Sequence, residues 1–179
     1  MTTPETGSDL PDYLSFADVA VDRTVSELPS VDPVSMRLVL TLHRLTNALI
    51  YDLESTVHRP RGWSWAGFRV MFVLWLAGPC SVNRVATLSG MSRAAVSALV
   101  GTLQKQELVL RERSTTDRRA VDLRLTDSGR EAIVSTYAEH NLREQRWAAI
   151  LSPERRELLI ELLDELMRGA VDADVNRRS

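Results

Sequence analysis

The chain has 179 residues, 44% hydrophobic and 26% charged, which is ordinary for one soluble domain or one domain with an arm. Its longest apolar run, Val70 to Ala77, is eight residues, far short of the ~20 that a membrane helix needs. The first thirty residues carry neither a basic start nor a continuous apolar stretch, so no signal peptide is expected and a cytoplasmic location is. The single cysteine, Cys80, excludes an internal disulfide and suits a reducing compartment.

The net charge of -2 hides an uneven distribution. Residues 1–33 hold seven acids and one arginine, a balance of -6, and residues 84–130 hold nine Lys/Arg and five acids, a balance of +4. The remainder has twelve of each sign, so the acidity belongs to an N-terminal arm and the middle of the chain is locally basic. A basic patch on a neutral body suits a polyanionic partner, although plain solvated surfaces carry such patches too.

In chain order, residues 1–9 are small and polar and read as disordered. Tyr13, Phe16, Ala17, Ala20 and Val21 are spaced for an amphipathic helix between Leu10 and Leu28. Pro33 starts a long helix, Val34 to Val57, with Leu38, Leu42, Leu45, Leu49 and Leu53 at steps of three and four, and "HRPRG" ends it. Ser64 caps a very apolar helix, Trp65 to Leu76, which should be buried nearly all round and which Gly78-Pro79 stops. Ser81 caps a short helix through Leu88, with Cys80 and Val85 as a hydrophobic staple. After the "SGM" turn, Ser92 caps a second helix through Gln106 whose core face is Val96, Leu99, Val100 and Leu103. Two short helices around a Gly-containing turn form a helix-turn-helix pattern.

Two strands follow, Leu108–Arg113 and Ala120–Thr126, joined through "STTDR" as a wing. Val121, Leu123 and Leu125 alternate with Asp122 and Arg124, so the first three should face one way. Thr126 then caps a long helix from Ser128 to Ile150, and Ser152-Pro153 opens a last helix lined by Leu158, Leu159, Leu162, Leu163 and Leu166. The expected fold is mainly α with a small β-hairpin wing: a winged helix-turn-helix domain plus a helical dimerisation domain from the terminal helices. Their leucine stripes are broader than a lone winged helix covers, and a second copy is the physical solution.

A helix that enters the major groove needs short or hydrogen-bonding residues on its outer N-terminal face. The helix after Ser92 presents Arg93, Ala94, Ala95, Ser97 and Ala98 there, and no acid occurs between Arg84 and Gln106. Arg93 suits a base edge or a phosphate, Ser92 and Ser97 suit phosphate, and the alanines permit close approach to thymine methyls. Good helix formers on a solvated face would look the same. At the hairpin tip, Arg118 and Arg119 are placed to enter a minor groove or grip phosphates, with Asp117 directing an arginine through a charge-assisted bond. These readings converge on double-stranded DNA. No nucleotide-binding Gly loop, nucleophile constellation or metal-ligand spacing among His43, His58, His140 and Cys80 is visible, so an enzyme, a cofactor and a metal are not expected.

The run "DRRAVDLRLT", with Asp117, Arg119, Leu125 and Thr126, together with "SVNRVATLSGMSRAAVSALVGTLQKQELV", resembles the MarR family of transcription regulators over about residues 34–168. The resemblance implies a triangular homodimer of winged-helix domains on a pseudo-palindromic operator, with release of DNA when a small molecule binds. It divides the chain into an acidic arm, 1–33, and a MarR-type domain, 34–179, with dimerisation helices at 34–60 and 127–170 and the winged helix-turn-helix at 64–126. Joined to the readings above, the DNA-binding set is Ser81, Ser92, Arg93, Ala94, Ala95, Ser97, Ala98, Asp117, Arg118 and Arg119, and the resemblance implies Arg119 in the minor groove with Arg118 on phosphate. The resemblance also places a ligand crevice near His43, Asn47, Trp65, Phe68, Arg69 and Phe72, with Tyr51 and Trp75 as further candidates. Core packing is the competing reading of the aromatics.

The arm is similar to the extra N-terminal helix of urate-responsive members. Those use a Trp in the arm and an Asp after an aromatic in the second helix, whereas this arm has no Trp and Arg69 follows Phe68. The departure argues against urate and implies a small aromatic or anionic effector, or a structural acid partner for Arg69. Two further alternatives stay open: a winged-helix protein-interaction module without DNA binding, and a redox switch through Cys80, whose position differs from that of the reactive cysteine in peroxide-sensing relatives.

Overall fold

A computed structural model describes residues 15–113 and 121–173. The chain divides into two units, Met1–Asp52 and Leu53–Ser179.

The first unit is helical. Helix α1, Phe16–Glu27, buries Ala17 and Val21, one turn apart on one face. Helix α2, Pro33–Leu53, starts at the proline as expected. The Asp32 carboxylate accepts from the backbone N–H of Val34 at 3.2 Å and of Ser35 at 3.1 Å, and from the Ser35 hydroxyl. Those bonds, the Ser35 hydroxyl first, hold its carboxyl below the ordinary carboxylate range. Between the two helices, Arg37 pairs with Asp18 and the Arg44 guanidinium lies 5.2 Å from the Phe16 ring centre.

The second unit opens with a departure from expectation. "HRPRG" does not end the helix cleanly: a π-helical turn, Glu54–His58, and a 3-10 turn, Arg59–Arg61, continue it before Gly62 closes at φ 75°. The wider π turn brings His58 inside together with Val57. Helix α3, Trp65–Ala77, is capped by the Ser64 hydroxyl on the Gly67 N–H and buries Phe68, Val70, Met71, Val73 and Leu74. Its burial is not complete all round, since Leu76 stays 65% exposed.

Helices α4, Val82–Ser89, and α5, Arg93–Lys105, carry the expected caps, Ser81 and Ser92. Gly90, at φ 65°, makes the turn between them. Val85, Val96, Val100 and Leu103 face the core, with Leu99 packed beside it.

Strands β1 (Cys80–Ser81), β2 (Val109–Arg113) and β3 (Val121–Leu125) form an antiparallel sheet in the order β1-β3-β2. The hairpin matches expectation, and β1 is an addition to it. Cys80 pairs with Leu123, and Arg111 faces Leu123 from the other side. Leu123 is fully buried at the centre, whereas Val121, expected beside it, is 47% exposed toward the end of the wing. Helix α6, Asp127–Ala148, is capped by Thr126 on the Gly129 N–H. Helix α7, Pro153–Asp172, begins at the Ser152 cap, and among the described residues none on it is buried.

Candidate nucleic-acid interface and a buried histidine cluster

The outer face of α5 matches its sequence pattern. Ser92, Arg93, Ala94, Ala95, Ser97 and Ala98 are all exposed. The Ser92 hydroxyl accepts the Ala95 N–H at 3.2 Å, and the Ser81 hydroxyl accepts the Arg84 N–H at 3.3 Å. Each hydroxyl retains its own hydrogen, so a cap can still donate to a phosphate oxygen. The α5 N-terminus adds its positive dipole end to an acid-free surface.

Behind this helix the wing strands are tied down. Arg111 Nε donates to Gln104 on α5 at 3.3 Å, and Arg124 Nε donates to Glu112 across the two strands at 2.7 Å. The wing-tip candidates Asp117, Arg118 and Arg119 lie outside the described residues.

The residues expected near a ligand fall into both units. His43 and Asn47 are exposed on α2, joined by a 3.1 Å side-chain hydrogen bond one turn apart. Trp65, Phe68 and Phe72 lie on α3 and do come together. Phe68 is buried, with Trp65 stacked on it at 5.7 Å and Phe72 at 5.7 Å. Arg69 on the same helix is half-buried.

The aromatic group also holds residues that sequence reasoning does not place there. Both His58 and His140 are buried within it. Phe68 stacks 4.2 Å from the His58 ring and 4.7 Å from the His140 ring, and Tyr137 stacks 5.6 Å from His140. His140 Nδ1 lies 3.3 Å from His58 Nε2, and His140 Nε2 lies 3.1 Å from a Glu144 carboxylate oxygen. His58 Nδ1 is buried without a hydrogen-bond partner. Burial, and then the neighbouring His140, pushes the His58 pKa down to about 4. A signal for His140 does exist: Ile133, Thr136 and His140 recur at helical spacing, and all three are buried.

Cys80 sits at the staple position, half-buried against the core. Burial, and then Asp122, pushes its thiol above the ordinary range, the opposite of what activates a redox cysteine. Among the described residues no group of three His, Cys, Asp or Glu side chains could hold a metal ion, and no helix is long and apolar enough to cross a membrane.

A helix-turn-helix followed by an antiparallel hairpin is a winged helix, and its exposed acid-free second helix suits a DNA-binding regulator. The MarR family model matches residues 63–121. The "Uncharacterized HTH-type transcriptional regulator YwaE" of Bacillus subtilis (strain 168) is 30% identical over 145 residues, 78% of this chain and 85% of that protein. Among solved structures, a MarR family transcriptional regulator from Silicibacter pomeroyi DSS superposes with a TM-score of 0.68 at 22% identity, covering 81% of this chain and 98% of that one. Bordetella bronchiseptica BpsR, whose DNA binding is regulated by 6-hydroxynicotinic acid, superposes with a TM-score of 0.67 at 22% identity, covering 73% and 98%. The chain belongs to the MarR family. It is a winged-helix transcriptional regulator and not an enzyme.

Proposed function

We propose that this chain is a ligand-responsive repressor that binds a pseudo-palindromic operator as a homodimer. The observation that carries the reading is the exposed face of α5, where Arg93 and small residues follow the Ser92 cap without an acid. Arg93 reads a base edge or a phosphate, Ser81, Ser92 and Ser97 bind phosphate, and Ala94, Ala95 and Ala98 approach thymine methyls. Arg119 enters the minor groove, Arg118 contacts phosphate, and Asp117 orients them. The dimer is built from helices within 34–60 and 127–170, and the exposed leucines of α7 support that division.

The effector is a small aromatic or anionic molecule that displaces DNA. The aromatic side chains of α3 support this reading, as does the regulation of BpsR by an aromatic acid. His43, Asn47, Trp65, Phe68, Arg69 and Phe72 are its proposed contacts.

The test is fluorescence anisotropy on DNA from directly upstream of the protein's own gene, with random DNA as competitor, at two salt concentrations. Binding that survives the competitor and weakens steeply with salt supports a sequence-specific regulator. Binding that is indifferent to salt and to Arg93→Ala removes the reading. Small aromatic acids are then screened for release of the bound DNA.

A further inference from the structure

The hydrogen-bond chain through His58, His140 and Glu144 admits one arrangement of protons when both rings are neutral. Glu144 is a carboxylate, so it accepts, and His140 carries its hydrogen on Nε2. His140 Nδ1 is then bare and accepts from His58 Nε2–H. That leaves His58 Nδ1 as a bare lone pair, and this is the buried atom without a partner. The tautomer of each ring follows from its neighbour, with no freedom left.

An added proton breaks this order wherever it lands. On His58 it occupies Nδ1. On His140 it occupies Nδ1, which then donates to His58 Nε2 and forces the His58 hydrogen onto Nδ1. Both outcomes place an N–H where no acceptor stands, on a ring packed against Trp65 and Phe68.

Around His58, Glu54 favours an added proton and Arg61 opposes it, and burial together with the neighbouring His140 outweighs Glu54, while Glu144 stands 3.1 Å from His140 Nε2 on the far side of the pair. Glu54, on the same π turn, accepts the Trp65 N–H at 2.8 Å and pairs with Arg59. Arg61 donates to the Val57 carbonyl at 2.9 Å and pairs with Glu139 of α6, adding positive charge near His58. On α6, Glu144 already holds His140 and also accepts from Asn141. The α3 side chains in ring contact with His58, Trp65 and Phe68, bring no charge.

We propose that the His58–His140–Glu144 chain is a proton-operated latch, which joins the π turn to α6 only while both rings are neutral and opens when it takes up one proton. Opening frees the π turn, and with it the Glu54 carboxylate that holds the first N–H of α3. Its effect on operator binding rests on the reading of the chain as a DNA-binding regulator. The latch itself does not.

The test is long-range 1H–15N NMR of the imidazoles in the full chain, from pH 7.5 down to pH 4, with assignments from His58→Asn and His140→Asn. The expected result is two neutral rings at pH 7.5, each with its hydrogen on Nε2. Loss of the ring contacts of Phe68 should accompany the first protonation. A charged ring at pH 7.5, a hydrogen on His140 Nδ1, or protonation that leaves the Phe68 contacts intact overturns the latch. The same series read by anisotropy on operator DNA should show an affinity loss of about tenfold or more on acidification that is reduced in His58→Asn. An equal loss in both proteins removes the latch from the control of DNA. Failure to bind DNA at any pH sinks the operator reading, while the NMR series still decides the latch.

Discussion

Gly129 stands against the backbone of Leu108: a Cβ built on Gly129 would run into the Leu108 carbonyl oxygen and lie 2.8 Å from its carbon. The first turn of α6 therefore docks on the start of the wing through bare backbone. Beside it, the Glu107 carbonyl accepts from the Thr126 hydroxyl at 2.7 Å and the Ser128 hydroxyl at 3.0 Å. Glu107 itself adopts φ 60°, in the left-handed region that turns α5 into β2.

Gly129→Ala should destabilise the protein by about 3 kcal/mol, because backbone and not a flexible side chain must give way. Gly101→Ala is the matched control. It lies within α5 and nothing stands within 4 Å of its added methyl, so it should be neutral or stabilise by about 0.5–1 kcal/mol. Urea unfolding measures both. A cost at Gly101 equal to that at Gly129 would show that crowding is not the cause.

Acid should weaken the fold through His58. In the folded chain its pKa is about 4, against 6.5 when unfolded. Above pH 6.5 neither state binds the proton and this site contributes no pH dependence. Between pH 6.5 and 4 only the unfolded chain binds it, so stability falls as pH falls, by about 3 kcal/mol over the whole window. His58→Asn removes this titration, so urea unfolding at pH 7 and pH 5 should show a smaller loss for the variant than for the parent.

Arg93→Ala should weaken operator binding by about 1–3 kcal/mol if Arg93 meets a base edge. In that event, discrimination against random DNA falls at one operator position. If it meets phosphate, affinity falls for all sequences and the salt slope drops by about one. Anisotropy titrations at several salt concentrations on operator and random DNA tell the two apart. If Arg119 enters the minor groove as proposed, Arg119→Ala should weaken binding in the same titrations.

The leucines of α7 should matter for assembly. If the chain forms the proposed homodimer, Leu162→Lys with Leu166→Lys should shift it from dimer to monomer in sedimentation velocity at micromolar concentration, because charges replace apolar side chains that are 54% and 45% exposed in the single chain. An unchanged sedimentation coefficient would place the dimer contact elsewhere.

How far the sequence is legible depends on range. Ser64, Ser81, Ser92, Thr126 and Ser152 are readable as caps because a cap is a local device: one oxygen placed ahead of a periodic apolar run. The core face of α5 follows from the same periodicity. β1 escapes sequence reasoning because two residues carry no pattern, and Cys80–Ser81 becomes a strand only by pairing with a segment forty residues further on. The π turn escapes it for a related reason, since what holds it is the reach of Glu54 to Trp65 and of Arg61 to Glu139. The histidine pair spans 82 residues, so no spacing rule could join it. The wing arginines are plain in the sequence, and they lie outside the described residues.

The exposed apolar face of α7 has a genetic consequence. A chain with a broken wing keeps that face whole. If two copies act together on one operator, defective chains pair with intact ones and withdraw them from DNA. With equal amounts of each, random pairing leaves only about one pair in four fully intact. Alleles damaged at the wing should therefore behave as dominant over the normal copy, whereas alleles damaged on α7 should be recessive.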